Sequence, residues 1–372
     1  MNKILLPILL FFCVHLNAQV ARKYSNEFLN IGVDAAAFGM SNAVVASSND
    51  VNSGYWNPAG LLKLKNNQAS LMHANYFANI ASYDYGAFAM PIDENSAFAL
   101  SLIRFGVDDI LDTTQLIDED GIDYSRINLF STADYAVTFS YARDLGIENL
   151  RFGANIKILR RIIGDFANSW GFGFDAGLQY DYKKWTVGLM VRDVTTTFNT
   201  WDIDTDKLND IQATSAFTNS GQNQEAPEDT EITLPKLQLG FARTFQFKNK
   251  LSLLSELDFD VRFTETNDII SSSFASVTPA LGLQLNYNNL IFLRSGVGKF
   301  QNVEQFDGGE KINMQPNIGL GFHYKGIYVD YSLKKITQDS NLLDEYSYIN
   351  GGNTQMSRSL NADLACAWST TE

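Results

Sequence analysis

Apolar and polar residues alternate along most of the chain after residue 66. In Leu251–Phe263 the odd positions are apolar or aromatic apart from Ser255, whereas the even positions include Glu256, Asp258 and Asp260. Trp170–Tyr180 repeats the pattern, with aromatic residues opposite glycine and aspartate. Strict alternation is typical of a β-strand with two different faces. The sequence therefore predicts a sheet with one apolar, aromatic face and one face of carboxylates and glycine.

Many of the alternating segments are near the length of about 9–11 residues that a tilted strand needs to cross a bilayer. They predict an all-β fold, a transmembrane antiparallel β-barrel of about fourteen strands, an even number as in single-chain bacterial barrels. The predicted strands are Ala69–Tyr76, Tyr83–Met90, Ala97–Val107, Asp134–Arg143, Leu150–Arg161, Ser169–Tyr180, Trp185–Val194, Pro235–Phe245, Leu251–Phe263, Thr278–Tyr287, Leu290–Lys299, Asn317–Tyr324, Ile327–Leu333 and Ser357–Ala367.

The connections between these segments alternate between short and long. Asn288–Asn289 and Lys325–Gly326 are two-residue turns, whereas Asp108–Ala133 and Thr195–Leu234 are long. Short turns at one end and long loops at the other are how outer-membrane barrels are built. A soluble sandwich or propeller also alternates, but its strands are usually only about 5–6 residues long. The pattern therefore favours the membrane barrel.

The first residues have the form of an export signal. Lys3 is followed by an apolar run up to Leu16, and Ala18 precedes a predicted cleavage site before Gln19. We expect residues 1–18 to be removed, residues 19–66 to form an N-terminal plug, and residues 67–372 to form the barrel. Cys13 leaves with the signal, so Cys366 remains alone and the mature chain has no internal disulfide.

Composition and charge exclude several classes of function. The formal net charge is −14, which disfavours nucleic acid as a partner because phosphate binding needs a basic surface. Only His73 and His323 remain in the mature chain, and no Gly-x-Ser-x-Gly motif occurs. We therefore expect no enzyme activity, no cofactor and no histidine-based metal site. The acidic stretches 108–123 and 202–206 are interpreted as solvated loops, and a loose calcium site in either of them is kept as an alternative. An EF-hand that begins at Asp202 is excluded, because its sixth position is Lys207.

The N-terminal segment carries the most specific motif. Residues 31–46 are rich in small side chains, which allow backbones to approach closely, and they are followed by the plug motif Trp56, Asn57, Pro58, Ala59 and Gly60. Proline fixes its own φ and pushes the preceding residue out of the helical region. A defined turn inside a crowded barrel interior is therefore predicted here.

Residues 31–62, followed by a barrel of about fourteen strands, resemble the PorV/PorQ family of Bacteroidota. That family in turn resembles the FadL outer-membrane transporters, which share an Asn-Pro-Ala segment near an N-terminal hatch. The resemblance implies a component of the type IX protein secretion system in the outer membrane. Such proteins bind the C-terminal sorting domain of secreted cargo and pass it from the translocon to the surface attachment machinery.

Two further groups of residues are predicted from their positions. Glu256, Asp258 and Asp260 share one face of a strand and are expected to face the barrel interior, with Lys157 or Arg294 as cationic partners. Thr195–Leu234 is the longest connection. It carries Phe198, Trp201 and Phe217 among polar residues and is predicted to be a loop that contacts a protein partner.

Two functions remain open at this point. The first is a non-enzymatic, PorV-like secretion component in the outer membrane, in contact with cargo, translocon, attachment proteins and lipid. The second is a FadL-like passive transporter of hydrophobic small molecules, which requires an apolar pocket and a route past the plug. A barrel interior rich in charged residues favours the first, and an apolar interior favours the second.

Overall fold

The computed structural model describes residues 25–76, 80–113, 116–118, 121–204, 230–248, 250–304, 309–335 and 360–369. The predicted signal peptide, residues 1–18, lies outside these ranges. Helical structure is confined to short segments: the α-helices α1 (Ala35–Gly39) and α2 (Ser53–Trp56), and the 3₁₀ helices η1 (Glu27–Asn30), η2 (Pro58–Lys63) and η3 (Tyr124–Arg126). No helix within the described ranges is both long and apolar enough to cross a membrane.

Most of the other described residues are in β-strands. The strands are β1 (Gln68–Tyr76), β2 (Ala81–Asp93), β3 (Ser96–Asp112), β4 (Ile117–Asp118), β5 (Gly121–Ile122), β6 (Asn128–Asp144), β7 (Leu150–Ile163), β8 (Ala167–Tyr182), β9 (Trp185–Arg192), β10 (Thr197–Ile203), β11 (Thr230–Thr233), β12 (Lys236–Gln246), β13 (Leu251–Arg262), β14 (Ile270–Ser271), β15 (Ser276–Tyr287), β16 (Ile291–Glu304), β17 (Glu310–Tyr324), β18 (Ile327–Lys335) and β19 (Leu360–Ser369).

Seventeen of these strands form one antiparallel sheet, and β4 and β5 form a separate hairpin. β10 continues β9 after a short break, since both pair with β8, and β11 in the same way precedes β12. With each interrupted pair taken as one and the two-residue β14 set aside, fourteen strands make up the wall within the described ranges. β1 pairs with β19 as well as with β2, so the sheet returns on itself. The predicted all-β barrel of about fourteen strands is confirmed.

The wall has the two faces that alternation predicts. Large apolar side chains on its outer face are exposed, among them Phe172, Phe174, Leu283 and Leu320. The hairpin turns are short at one end, which we call the short-turn end, and the connections are longer at the other, the long-loop end. A continuous apolar outer band is the surface that a barrel presents to lipid.

Residues 25–66 lie inside the barrel, and the hydrophobic core is the interface between this plug and the wall. One cluster joins plug residues such as Phe38 and Trp56 to Tyr83 and Ile103 of the wall. A second joins Val51, Leu61 and Leu64 to small alanines on β2, β3 and β6. The plug therefore takes the place of the packed core that a soluble barrel builds from its own strands.

Candidate functional site: the plug and the barrel interior

The plug motif occupies a turn that is fixed from several sides. Asn57, which is fully buried, has an extended backbone with φ −161° and ψ 104°, as expected for a residue before proline. Its Oδ1 accepts a hydrogen bond from the Ala59 amide at 3.2 Å. Its Nδ2 donates to the carbonyl oxygens of Val45 and Leu178, each at 3.0 Å. One amide side chain thus joins the turn, the rest of the plug and strand β8.

The wall accommodates this turn because it lacks side chains there. A Cβ atom on Gly153 would lie 2.4 Å from the Pro58 carbonyl carbon, and one on Gly177 would lie 2.2 Å from Asn57 Oδ1. These glycines of β7 and β8 are adjacent in register. They let the plug backbone contact the wall directly.

Trp56, the first residue of the motif, points away from that contact into the plug core. Its Nε1 donates to the Val33 carbonyl at 3.1 Å, and its ring packs edge-on against Tyr55 with 4.8 Å between the ring centroids. Tyr55 in turn donates its hydroxyl to the Leu29 carbonyl at 2.6 Å. The motif therefore connects the wall contact to the first residues of the plug.

Two of the three predicted interior carboxylates hold the plug by its backbone. Asp258 Oδ2 accepts hydrogen bonds from the amides of Val44 at 2.9 Å and Val45 at 3.0 Å. Glu256 Oε1 accepts from the amides of Ala46 at 2.6 Å and Ser47 at 3.3 Å. Both side chains are buried. Successive backbone amides thus provide the donors that a buried carboxylate requires.

The third carboxylate has a different role. Asp260 accepts a hydrogen bond from Gln238 Nε2 at 2.6 Å, on the neighbouring strand β12. Gln238 also accepts from Arg192 Nε at 2.7 Å. Asp260 therefore belongs to a network within the wall.

The predicted cationic partners of these carboxylates are wrong. Lys157 Nζ forms salt bridges with Asp175 and Asp193, both at 2.7 Å, and Arg294 pairs with Asp330 at 2.5 Å. The reason is the order of the strands. Lys157 lies on β7, which β8, β9 and β12 separate from β13, so nearer acids take the cation. The carboxylates of β13 bind backbone amides instead.

Further polar side chains of the wall bind carbonyl oxygens of the plug, and the sequence interpretation missed them. They all lie at inward-facing positions of the alternating pattern in β7–β9, and this position is the feature by which the sequence could have identified them. Asn155 Nδ2 donates to the Gly54 carbonyl at 2.9 Å, Gln179 Nε2 to the Ser48 carbonyl at 3.0 Å, and an Arg192 terminal nitrogen to the Tyr55 carbonyl at 2.9 Å.

The opposite side of the plug is mainly apolar. Here Phe28 and Val33 of the plug belong to one hydrophobic cluster with Met72, Tyr76, Tyr83, Tyr85 and Ile103 of β1, β2 and β3. Two plug amides also donate to β1, that of Asp34 to Met72 Sδ at 3.1 Å and that of Val51 to Gln68 Oε1 at 3.0 Å. The hydroxyl groups of Tyr83 and Tyr85 are buried and have no hydrogen-bond partner within the described ranges. We call this contact the apolar seam. The plug is thus hydrogen-bonded to the β7–β13 side of the wall and to β17, where Asn317 Nδ2 donates to the Phe38 carbonyl at 2.9 Å. Against β1–β3 it packs mainly by hydrophobic contacts.

A chamber of about 1660 Å³ opens below the plug at the short-turn end. Its lining includes Asp34 and Asp50 of the plug and Arg294, His323 and Asp330 of the wall. Burial, and then the nearby Asp50 charge, raises the pKa of Asp34 to about 8. The chamber is therefore polar and sensitive to protonation of a plug residue.

The predicted partner loop is partly strand, which corrects the prediction that its aromatic residues lie outside the sheet. Phe198 and Trp201 belong to β10, which pairs with β8 and β11. Phe198 points outward and is exposed, whereas the ring of Trp201 lies 5.1 Å from the Arg161 guanidinium. The short run 197–203 was too brief for alternation to be recognised. Phe217 lies outside the described residues.

Acidic residues do not assemble into a metal site in the part of the chain that the structure describes. No group of three or more His, Cys, Asp or Glu side chains there lies close enough together to hold an ion. Asp123 instead caps η3, accepting from the amide and hydroxyl of Ser125 at 2.9 and 2.6 Å.

Comparison with known proteins yields structural relatives only. No protein-family model matches the chain, and no curated protein matches its sequence. The Pseudomonas putida toluene transporter TodX matches with a TM-score of 0.56 at 12% identity, over 92% of this chain and 99% of the transporter. The CymD monoaromatic hydrocarbon channel matches with a TM-score of 0.54 at 12% identity, over 92% and 98%.

A Pseudomonas aeruginosa FadL homologue matches with a TM-score of 0.50 at 13% identity, over 90% of this chain and 98% of the homologue. None of these three matches supports the PorV-like role that the family resemblance implies. Each match covers a larger share of this chain than residues 68–369 make up. Each match therefore also includes part of the plug. The chain therefore has the fold of the FadL-type outer-membrane channels, an antiparallel barrel with an N-terminal plug.

Proposed function

We propose that this chain is an outer-membrane barrel that lets small hydrophobic molecules cross the membrane, without catalysis. The observation that carries the proposal is the match, over nine-tenths of the chain, to a toluene transporter and a monoaromatic hydrocarbon channel. At 12% identity this likeness concerns the fold, so the transported class is our inference.

The outer surface supports the membrane location. Outward side chains in the middle of the wall are apolar, and Tyr180, Tyr182, Trp185 and Tyr324 add exposed aromatic rings toward the short-turn end. Barrels of the outer membrane carry such aromatic girdles at both interfaces, with short turns on the periplasmic side. The short-turn end is accordingly assigned to the periplasm.

The apolar seam is the proposed route. Plug amides on one side donate hydrogen bonds to Glu256 and Asp258, whereas the other side of the plug meets β1–β3 mainly through hydrophobic contacts. A hydrophobic solute that enters the seam replaces contacts of the same kind. Passage therefore requires a displacement of the plug along β1–β3 and leaves the hydrogen bonds to β13 in place.

The test is uptake of radiolabelled toluene into cells or proteoliposomes containing the barrel. Tyr83→Lys places a charge in the seam and should abolish uptake, whereas Tyr83→Phe removes only a hydroxyl that has no described partner and should preserve it. Each variant is first checked for heat-modifiable migration, which reports a folded barrel. Wild-type uptake equal to that of empty vesicles would contradict the proposal.

A second candidate is the PorV-like role in type IX secretion. The observation that favours it is the strength of the plug contacts. Asn57 alone bonds to three parts of the molecule, within the segment that carries the family resemblance. In this role secreted proteins with C-terminal sorting domains, the translocon and the attachment machinery are the partners.

Deletion of residues 206–229 distinguishes the two functions. β10 and β11 pair with each other outside that segment, so the barrel is expected to form without it. The secretion role predicts reduced display of cargo at the cell surface with unchanged toluene uptake. The channel role predicts unchanged display.

A further inference from the structure

One cation occupies an unusual position on the outer face of the wall. Arg243 of β12 points outward in the same row as Phe241 and Phe245, which are exposed apolar residues of the band. Charge on the lipid-facing surface of a barrel is costly near the bilayer midplane and tolerated near the interface. Arg243 lies three residues before the end of β12, near the short-turn end. Arg243 also borders the mouth of the chamber below the plug, so it lies at the short-turn edge of the wall, a position that suits an interface.

Two aromatic rings lie against the guanidinium group of Arg243, and we call this arrangement the cage. Its guanidinium carbon lies 4.7 Å from the ring centroid of Phe245 and 5.2 Å from that of Trp185. Trp185 and Ser255 are its register partners on β9 and β13. The Nε atom of Arg243 is buried and has no hydrogen-bond partner within the described ranges. The rings hold the guanidinium in place, and no described residue accepts a hydrogen bond from its Nε atom.

Lysine side chains surround this cage on the adjoining turns. Lys183 and Lys184 form the β8–β9 turn, and Lys248 and Lys250 flank the β12–β13 turn; all four are exposed. Neither these lysines nor Arg243 forms a salt bridge with a described residue. We call these five cations, with Trp185, Phe245 and Ser255, the basic rim.

The charge of the short-turn end is strongly uneven. The β2–β3 turn carries Asp93 and Glu94, the β6–β7 turn carries Asp144 and Glu148 beside Arg143, and the β17–β18 turn carries a single lysine, Lys325. The basic rim lies on a different arc of the wall, at β8–β13, in a chain of net charge −14. A concentration of unpaired cations against that overall charge indicates an anionic ligand.

We propose that the basic rim binds an anionic phospholipid of the periplasmic leaflet through its phosphate group. Arginine donates two parallel hydrogen bonds to phosphate oxygens, and lysines contribute as point charges. Phe241 and Leu257 next to the site contact the acyl chains, which a free phosphate lacks. This inference rests on the membrane location in the proposed function and not on the transported class.

The experiment is a titration of the purified full barrel in detergent micelles, followed by native mass spectrometry. Phosphatidylglycerol and phosphatidylcholine are the lipid probes, and glycerol 1-phosphate is the soluble competitor. We expect phosphatidylglycerol to bind more tightly than phosphatidylcholine. Arg243→Gln should weaken phosphatidylglycerol binding about tenfold, as expected for loss of charge-assisted hydrogen bonds, and Arg243→Lys should lose less.

Arg160→Gln is the matched control. Arg160 also points outward over an aromatic ring, 4.8 Å from that of Trp170, but it already donates to Asn168 at 2.6 Å. Its variant should bind phosphatidylglycerol as the wild type does. All variants should keep heat-modifiable migration and toluene uptake, because Arg243 lies outside the seam.

Three results would overturn the site. They are equal binding by wild type and Arg243→Gln, an equal loss in Arg160→Gln, and displacement of the lipid by glycerol 1-phosphate at the same concentration. A wild-type barrel that binds no phospholipid at all would contradict the membrane location as well. Loss of toluene uptake with lipid binding intact would contradict only the transport proposal.

Discussion

Asp258→Ala removes the acceptor of two plug amides and is expected to release the plug at Val44 and Val45. These amides lie 2.9 and 3.0 Å from Asp258 Oδ2 and are buried. Leaving a buried donor without its acceptor costs about 1–3 kcal/mol, so the loss for the two amides amounts to about 2–6 kcal/mol. Since every 1.4 kcal/mol is a factor of ten, local opening should become about 30- to 10⁴-fold more frequent.

Hydrogen–deuterium exchange of the peptide that covers residues 40–48 measures this opening directly. Native-state exchange reports the free energy of local unfolding, so the protection of both amides should fall by the same factor. Asp260→Ala is the matched control, because Asp260 lies on the same face of β13 but bonds to Gln238 of the wall. Equal protection in Asp258→Ala and the wild type would refute the assignment of Asp258 as a plug anchor.

Three other substitutions test the plug and the wall. Burial raises the pKa of Asp34 to about 8, so its contribution to plug stability is full at acidic pH and declines as the pH rises toward 8. Asp34→Asn should remove this pH dependence in hydrogen–deuterium exchange measured from pH 5 to 9. Gly177→Ala places a Cβ 2.2 Å from Asn57 Oδ1 and should cost about 1–3 kcal/mol of stability by thermal unfolding, whereas Gly86→Ala, whose nearest neighbour lies at 3.4 Å, should cost little. Leu283→Arg on the outer band should cost about 2–4 kcal/mol and reduce the heat-modifiable fraction on gels.

The sequence predicts the wall well because alternation is a local property. Each of the fourteen predicted segments coincides with a strand, the first three residues of the last segment lying outside the described ranges. Several strands extend further toward the long-loop end. β17 begins at Glu310, whereas the alternation suggested Asn317, and β3 continues to Asp112 beyond Val107. In β17 the alternation in fact continues through the exposed Ile312 and Met314, but the segment contains Pro316, which argues against a strand in the sequence. In β3 a bulge between Val107 and Ile110 interrupts the alternation while backbone pairing continues.

The contacts of the interior could not be predicted in the same way. Lys157 pairs with Asp175 and Asp193. This pairing depends on which strands adjoin β7 and on the break after β9. Asp258 binds backbone amides of the plug. This contact depends on the path of a segment that lies more than 200 residues away in the sequence. Alternation assigns each residue to a face, and only the closed sheet with its plug determines which residues of that face meet.

Separating the plug from the wall costs a different free energy on each of its two sides. This difference indicates on which side the plug opens. Parting the plug from β13 leaves buried amides and carboxylates without partners, each at about 1–3 kcal/mol, and a hydrophobic solute supplies no hydrogen bonds in return. Parting it from β1–β3 exposes apolar area, at about 25 cal/mol per Å². A hydrophobic solute that fills the gap covers that area again, so most of the cost is recovered. A polar solute recovers little of it. The same asymmetry that anchors the plug therefore makes its movement along the apolar seam selective for hydrophobic molecules.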